Sequence, residues 1–410
     1  MKRTLTVLLL MVLLLLAGCS TEEEQKILPP DGVQVEYQEQ ARPLRYQGTE
    51  ISFRSIWEVE APQARVLLEA ADLFEEKTGA VVKILWPGDE HAAPETNPEI
   101  DIFQMRAADF QDVAVEYSLD LTEMAAAADY DAKSHESLRR QIIDQCGFLG
   151  AIAQVPYLGG IYYNTEIFEQ CGIGETPRSW EEFLTICQLL RENGWQPLTM
   201  DSNDALNATE LHLRGNLGAE KVAYLMSDSG DWENDRGAIA ALDQIMLFIL
   251  EENMTYATPA EHPAGQNKMA LSNSAMMIGT DADCADVEEA TLIDLDWGIF
   301  PYPGSACSGT WMTADVLMIH ADSKNPQAAF DFIMLLVSGE FDQLRADISC
   351  GIPADPANAS PITGAMDAIA AAEPVPLGLL ERKQSETAVR LWSGLYLQAG
   401  SCASALERKK

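Results

Sequence analysis

One pattern limits the fold of this chain more than any other: an apolar strand, a helix with a core-facing stripe and a second apolar strand, in that order, between residues 51 and 86. The string ISFRSIW, Ile51 to Trp57, alternates and ends in an aromatic, which reads as a strand with Trp57 at its carboxyl end. Pro62 suits a first helical position, Val66, Ala70, Leu73 and Phe74 fall on one face, and Gly79 is placed to stop the helix in a left-handed cap. Ala80 to Trp86 and Ile100 to Met105 read as further strands. Apolar strands joined through helices pack as parallel sheet covered on both faces, so the fold class is α/β. The order recurs: Ser179 caps a helix with Glu182 as its capping-box partner and Phe183, Cys187 and Leu190 inward, and Pro197 to Met200 follows as a short strand. A helix opening at Asn325-Pro326 places Ala329, Phe330, Ile333 and Val337 inward and ends at Gly339.

With 410 residues, 47% of them hydrophobic, the chain has the length for two compact units and the apolar content to give each a core. Lys and Arg number 27 against 64 Asp and Glu, a formal net charge of -37. Such a balance repels phosphate backbones and excludes nucleic acid as a partner.

At the amino terminus Lys2 and Arg3 precede an apolar run from Leu5 to Leu16 and then Ala17-Gly18-Cys19, after which the chain turns polar. The run is shorter than the roughly 20 residues that span a bilayer, and small residues follow it where a peptidase acts, so it reads as a secretion signal over residues 1–18. The string LAGC resembles the lipobox of bacterial lipoproteins, which implies a diacylglycerol thioether on Cys19 and a lipid anchor. Residues 19–48 carry Glu, Gln, Pro and Gly without an apolar period and read as a tether.

In the body, AQVPYLGGIYYN (Ala153 to Asn164) runs into TEIFEQCGIGETPRSWEEF (Thr165 to Phe183), and FEEKTGAVVKI, EIDIFQM, LDLTEM and SKNPQAAFDFIMLLVSGEF stand around it. These strings, in this order, resemble the signature of bacterial extracellular solute-binding proteins, family 1, the sugar-binding, maltose-binding-protein-like branch. Six strings in register argue the resemblance more strongly than any one. It implies a type II periplasmic-binding-protein fold, with two α/β lobes joined by three hinge crossings and a ligand cleft between them. The crossings are expected near Val155 to Leu158, Phe300 to Gly304 and Cys350 to Pro353, where Pro and Gly interrupt the pattern. The expected lobes are 49–156 with 304–349, and 157–303 with 350–410.

Open α/β sheets bind ligands beyond the carboxyl ends of their strands. A sugar offers apolar faces and a rim of hydroxyls, so aromatics, carboxylates and amides at strand ends are the candidates. Trp57, Glu58, Met105, Arg106, Tyr157, Asp201, Asn203 and Trp311 meet that description. The plain alternatives are core aromatics for Trp57, Tyr157 and Trp311, and turn formers for Asp201 and Asn203. The resemblance breaks at NKMALSNSAMMIGTDADC: Asp281 stands where the family commonly has a sugar-stacking Trp. Asp281 is therefore a candidate contact for a polar or partly cationic solute, or else one of a solvated acidic run from 281 to 289. Trp232 and Trp392 read as structural.

His91, His135, His212, His262 and His320 show no metal-ligand spacing, and no nucleophile elbow, phosphate loop or dinucleotide fingerprint occurs, so neither catalysis, metal nor cofactor is expected. Beyond Cys19, seven cysteines remain, which cannot all pair. The functional expectation is a monomeric lipid-anchored receptor on the extracellular face of the bacterial cytoplasmic membrane, handing a sugar or oligosaccharide to the permease subunits of an ABC transporter. The alternatives are a sensor partnered with a signalling kinase, a receptor for a polyol or polyamine, and a secreted glycoside hydrolase using a cleft carboxylate pair.

Overall fold

The computed structural model describes residues 44–371 apart from 89–91, 226, 228, 232–233, 251–253, 258–272, 292–294, 305–307 and 350. The expected leader 1–18, Cys19 and the tether as far as 43 lie outside the described residues, as do His91, Trp232, His262, Cys307, Cys350, Trp392 and Cys402. The strands are β1 (Glu50–Arg54), β2 (Val81–Leu85), β3 (Ile102–Arg106), β4 (Ala151–Asn164), β5 (Gln196–Asp201), β6 (Met254–Ala257), β7 (Ser274–Thr280), β8 (Trp297–Phe300) and β9 (Trp311–Ile319). The helices are α1 (Pro62–Thr78), α2 (Ala107–Tyr117), α3 (Thr122–Ala127), α4 (Glu136–Cys146), α5 (Thr165–Gln170), α6 (Trp180–Glu192) and α7 (Ser202–Leu217). There follow α8 (Ala219–Leu225), α9 (Arg236–Leu250), α10 (Asp281–Thr291), α11 (Pro326–Leu336), α12 (Gly339–Ile348) and α13 (Ala365–Ala371).

Among the described residues one mixed sheet runs in the order β2-β1-β3-β9-β4-β7-β5-β6, with β8 pairing β4. β1 is parallel to both β2 and β3, and β5 is parallel to both β6 and β7. Between these parallel groups stand the two long strands β4 and β9, antiparallel to each other.

Local signals explain the elements around the first parallel group. Pro62 opens α1, and Gly79 closes it at φ 79 with its N–H returned to the Glu75 carbonyl at 2.8 Å. That φ is open to glycine at little cost. Val66, Leu67, Ala70 and Phe74 form the buried stripe of α1. Phe332 of α11 meets Phe53 and Phe74 edge-on, with ring centroids 6.0 and 5.3 Å apart. Each such side chain contributes roughly 1.5–3 kcal/mol on burial. In the second half Ser179 Oγ accepts the Glu182 N–H at 3.2 Å, and Glu182 reaches back to the Arg178 N–H at 2.7 Å, capping α6. Trp180 and Phe183 of that helix pack with Phe248, Phe300, Tyr302 and Trp311 in a second core.

Four local expectations shift. β1 stops at Arg54, leaving Trp57 in the turn beyond it, because Ser55 folds back to bond the Trp57 N–H. β9 begins at Trp311 itself, which is therefore a strand residue and not a loop residue ahead of one. α11 ends at Leu336, and Gly339, at φ 61, opens α12. Finally, Val155 to Leu158 is continuous strand: the register slips between Ala153 and Val155, and Pro156 then faces Ala314. A bulge is one of the few places where a sheet tolerates proline.

Candidate functional site

The register of the central strands places the ends of both parallel groups against one short stretch of chain. At the carboxyl end of β3, Arg106 faces Asp315 of β9, and Asp315 faces Val155 of β4. From the opposite direction the carboxyl end of β7 arrives with Thr280 facing Gly159 of β4. Residues 155–159 therefore sit where two sets of strand ends meet head to head, the position in which open α/β sheets gather ligands. Asp201 ends β5, the parallel neighbour of β7, and the backbone places Asn203 in the first turn of α7.

On the β1 and β3 side, a cavity of about 480 Å³ is lined by Arg54, Ser55, Ile56, Gln104, Met105 and Asp109, among others. Trp57 is half-buried against the first core beside it, Glu58 and Arg106 are exposed, and Met105 is buried. Beneath them runs a chain of buried hydrogen bonds: Ser55 Oγ donates to Gln104 Oε1 at 3.0 Å, the Ile56 N–H donates to the same oxygen at 3.0 Å, and Gln104 Nε2 donates to Gln154 Oε1 at 2.8 Å.

On the β4 side, Tyr157 donates its hydroxyl to Asp315 Oδ2 at 2.8 Å. Burial holds the Asp315 carboxyl up at about 6 although the Tyr157 bond and the Arg106 and Arg345 charges pull the other way. Burial, with the Asp315 charge and hydrogen bond, also pushes the Tyr157 phenol well above its ordinary range. Tyr157 is thus a neutral donor, with Asp315 as its acceptor.

Asp281 opens α10 at 2% exposure, and it is neither on a solvated surface nor at a free rim. Its Oδ1 accepts the Leu158 N–H at 2.7 Å and its Oδ2 the Ile352 N–H at 3.1 Å, and burial raises its carboxyl to about 7. Its bonds therefore go to two backbone segments, 155–159 and the one after α12. Close by, Arg345 is 1% exposed and donates to the Ile352 carbonyl at 2.6 Å and to Asp342 at 3.2 Å. Asp342 in turn accepts the N–H groups of Ala354 and Asp355, each at 2.9 Å. Trp311, 4% exposed, lies over Gly159, where a Cβ would stand 1.7 Å from its indole ring. The structure thus gathers Trp57, Met105, Arg106 and Tyr157 around the strand ends, and puts Asp281 and Trp311 behind the same stretch.

Sequence reasoning passed over Ser55, Gln104, Gln154, Asp315 and Arg345. The signal for three of them was present: Gln104 in IFQM, Gln154 in AIAQVPY and Asp315 in ADVLMI are single polar residues inside apolar strand strings. A polar group at a position that periodicity assigns to a sheet interior must find a partner, so it marks a network. Arg345 carried no such mark, because a helical Arg ordinarily faces water.

Among the described residues no group of three His, Cys, Asp or Glu side chains gathers as a metal site, and no helix is long and apolar enough to cross a membrane. Cys146, Cys171 and Cys187 carry free thiols.

The model of the bacterial extracellular solute-binding protein family matches residues 57–340. The chain belongs to this family. No curated protein matches it in sequence. Among solved structures, apo RafE from Streptococcus pneumoniae is similar with a TM-score of 0.68 at 18% identity, over 86% of this chain and 95% of that one. RafE in complex with raffinose superposes at a TM-score of 0.63, again at 18% identity, over 85% and 94% of the two chains. Maltose-bound MalE3 from T. maritima gives 0.57 at 17% identity, over 88% and 100%. Identities this low establish the fold, which is the mixed α/β architecture of type II periplasmic binding proteins. The family and these neighbours are binding proteins and not enzymes.

Proposed function

We infer that this solute-binding protein captures a sugar or oligosaccharide by closing two lobes around it, and delivers it to the permease subunits of an ABC transporter. The lobes are 49–156 with 304–349, and 157–303 with 350–410. It works as a monomer held at the extracellular face of the cytoplasmic membrane by a lipid on Cys19. The observation that carries the reading is the head-to-head meeting of strand ends at Val155 to Gly159 in a chain of this family. RafE and MalE3, which share the fold, have been solved in complex with raffinose and maltose. In this reading Trp57 offers an apolar face to the ring, Arg106 donates to hydroxyls, Tyr157, whose own proton goes to Asp315, accepts from one, and Asp201 and Asn203 approach from the other lobe. Because Asp281 spends its carboxylate on backbone, the residue that favoured a cationic solute is withdrawn from the site. Solute binds the closed arrangement better than the open one, and only that difference in affinity drives closure.

Thermal unfolding of the purified protein against raffinose, maltose, stachyose, monosaccharides, polyols, amino acids and polyamines tests this. A ligand bound only by the folded state at 100 times its dissociation constant adds about 2.7 kcal/mol, a readily seen upward shift. An upward shift confined to one class of sugars is expected. A shift with a polyamine or amino acid alone would overturn the sugar assignment, and turnover of a glycoside by pure protein would overturn the receptor reading itself.

A further inference from the structure

The buried chain Ser55–Gln104–Gln154 joins three separate pieces of the molecule. Gln154 lies in β4 at the point where the register slips, two residues before Pro156 and three before Tyr157. Gln104 lies in β3, with β9 standing between it and β4 in the sheet. Ser55 follows β1. All three are at least 98% buried, at 2%, 2% and 0% exposure. Each link is a hydrogen bond with one acceptor oxygen at its head. Gln154 Oε1 accepts from Gln104 Nε2 at 2.8 Å, which fixes the amide so that Gln104 Oε1 faces Ser55 and Ile56. That oxygen accepts the Ile56 N–H and the Ser55 hydroxyl, both at 3.0 Å. Ser55 Oγ then accepts the Trp57 N–H at 3.0 Å. The backbone at 56 and 57 is therefore held through side chains and not by a strand ladder, since β1 has already ended at Arg54.

We propose that Gln154 and Gln104 are positioning residues for the solute site, setting the turn that carries Trp57 from the strand that becomes the first crossing between lobes. Neither needs to touch solute. A bulge re-aims a side chain that regular pleating would point elsewhere. Here it turns the Gln154 amide to a partner two strands away. A network of this kind specifies one arrangement only when every member is satisfied, because an orphaned amide in the interior disturbs its neighbours as much as its own bond. The consequence is that the height of the Trp57 turn follows the position of β4 at the crossing. The seat for solute and the crossing are then linked inside a single lobe before any solute is present. This rests on the reading of the site given above as regards solute, but the linkage itself does not.

Hydrogen–deuterium exchange on the purified protein without any sugar tests the linkage directly. Gln154→Leu and Gln104→Leu are each expected to speed exchange of the amides at 56 and 57 by about tenfold, the size of one lost hydrogen bond, while the amides of β3 and β4 keep their protection. Gln104→Glu retains the acceptor toward Ile56 and Ser55 and is expected to restore slow exchange, with Gln154 turned to donate. Ser55→Ala should free the Trp57 amide alone. Unchanged exchange at 56 and 57 in both Leu variants would overturn the proposal, as would a rise spread evenly over β3 and β4, which is what general loosening of the core produces. Raffinose and maltose binding by the same variants is then read separately. If exchange responds and no sugar binds even the unaltered protein, the linkage stands and the sugar reading falls.

Discussion

Asp281 Oδ1 accepts the backbone N–H of Leu158 at 2.7 Å, tying the first residue of α10 to the strand on which the two sets of strand ends meet. The second carboxylate oxygen takes the Ile352 N–H, so one side chain holds two passages of the chain in fixed separation. Nearby, Arg345 holds the Ile352 carbonyl from the other side. Where the resemblance implied a sugar-stacking Trp, the chain has a buried Asp whose oxygens both accept from backbone.

Asp281→Ala should leave two buried N–H groups without acceptors and lower the unfolding free energy by about 2–4 kcal/mol, less whatever the carboxylate's own burial had cost. Urea unfolding at pH 8, above the value to which burial raises the carboxyl, is the measurement. A midpoint equal to that of the unaltered protein would mean that water replaces the carboxylate at no penalty.

The same carboxyl predicts a pH dependence. Burial raises Asp281 to about 7 and Asp315 to about 6, both above the ordinary aspartate value. A group whose proton is held more tightly in the folded state contributes stability that is complete below pH 4 and is lost as pH rises through its folded value. Stability from these two groups should therefore fall between about pH 4 and pH 7. In Asp281→Asn the fall should be shallower, read as unfolding midpoints across that range.

Gly159→Ala should displace Trp311, because the new methyl would stand 1.7 Å from the indole ring. Overpacking of this kind costs about 1–3 kcal/mol, and the near-ultraviolet circular dichroism should change with it. An unaltered spectrum would show that the indole had room to move.

Trp57 and Trp311 should separate into two kinds of variant. Trp311→Ala, at a site only 4% exposed, should cost about 3–5 kcal/mol of stability. Trp57 is half-buried in the turn beyond β1, so Trp57→Ala should change stability little. It should weaken binding of whichever sugar raises the melting temperature by about tenfold or more, the worth of a stacking contact. Calorimetric titration beside urea unfolding checks both.

Much of the fold was legible along the chain. Pro62 and Gly79 bound α1 as expected, Ser179 and Glu182 cap α6, and the apolar strings became strands in the expected order. These signals act over a few residues, through cap hydrogen bonds, fixed φ values and side-chain period, so local sequence contains them whole. Strand ends were less legible. Trp57 lies in the turn beyond β1, where Ser55 Oγ takes its N–H and Gln104, 49 residues away in sequence, takes the Ser55 hydroxyl.

By itself, then, the sequence determined the α/β class, the order of its elements and the resemblance to a solute-binding family. Tertiary structure alone decided which polar residues face one another. β9 lies between β3 and β4, which sets Arg106 beside Asp315 and Asp315 beside Val155, and so brings Tyr157 to Asp315 across 158 positions of chain. It also decided that Asp281 is buried and bound to backbone on both oxygens. The physical reason is register: a shift of one residue between paired strands turns each side chain to the opposite face, and the energy that selects one register is summed over the packed sheet and its cores, not stored in any local string.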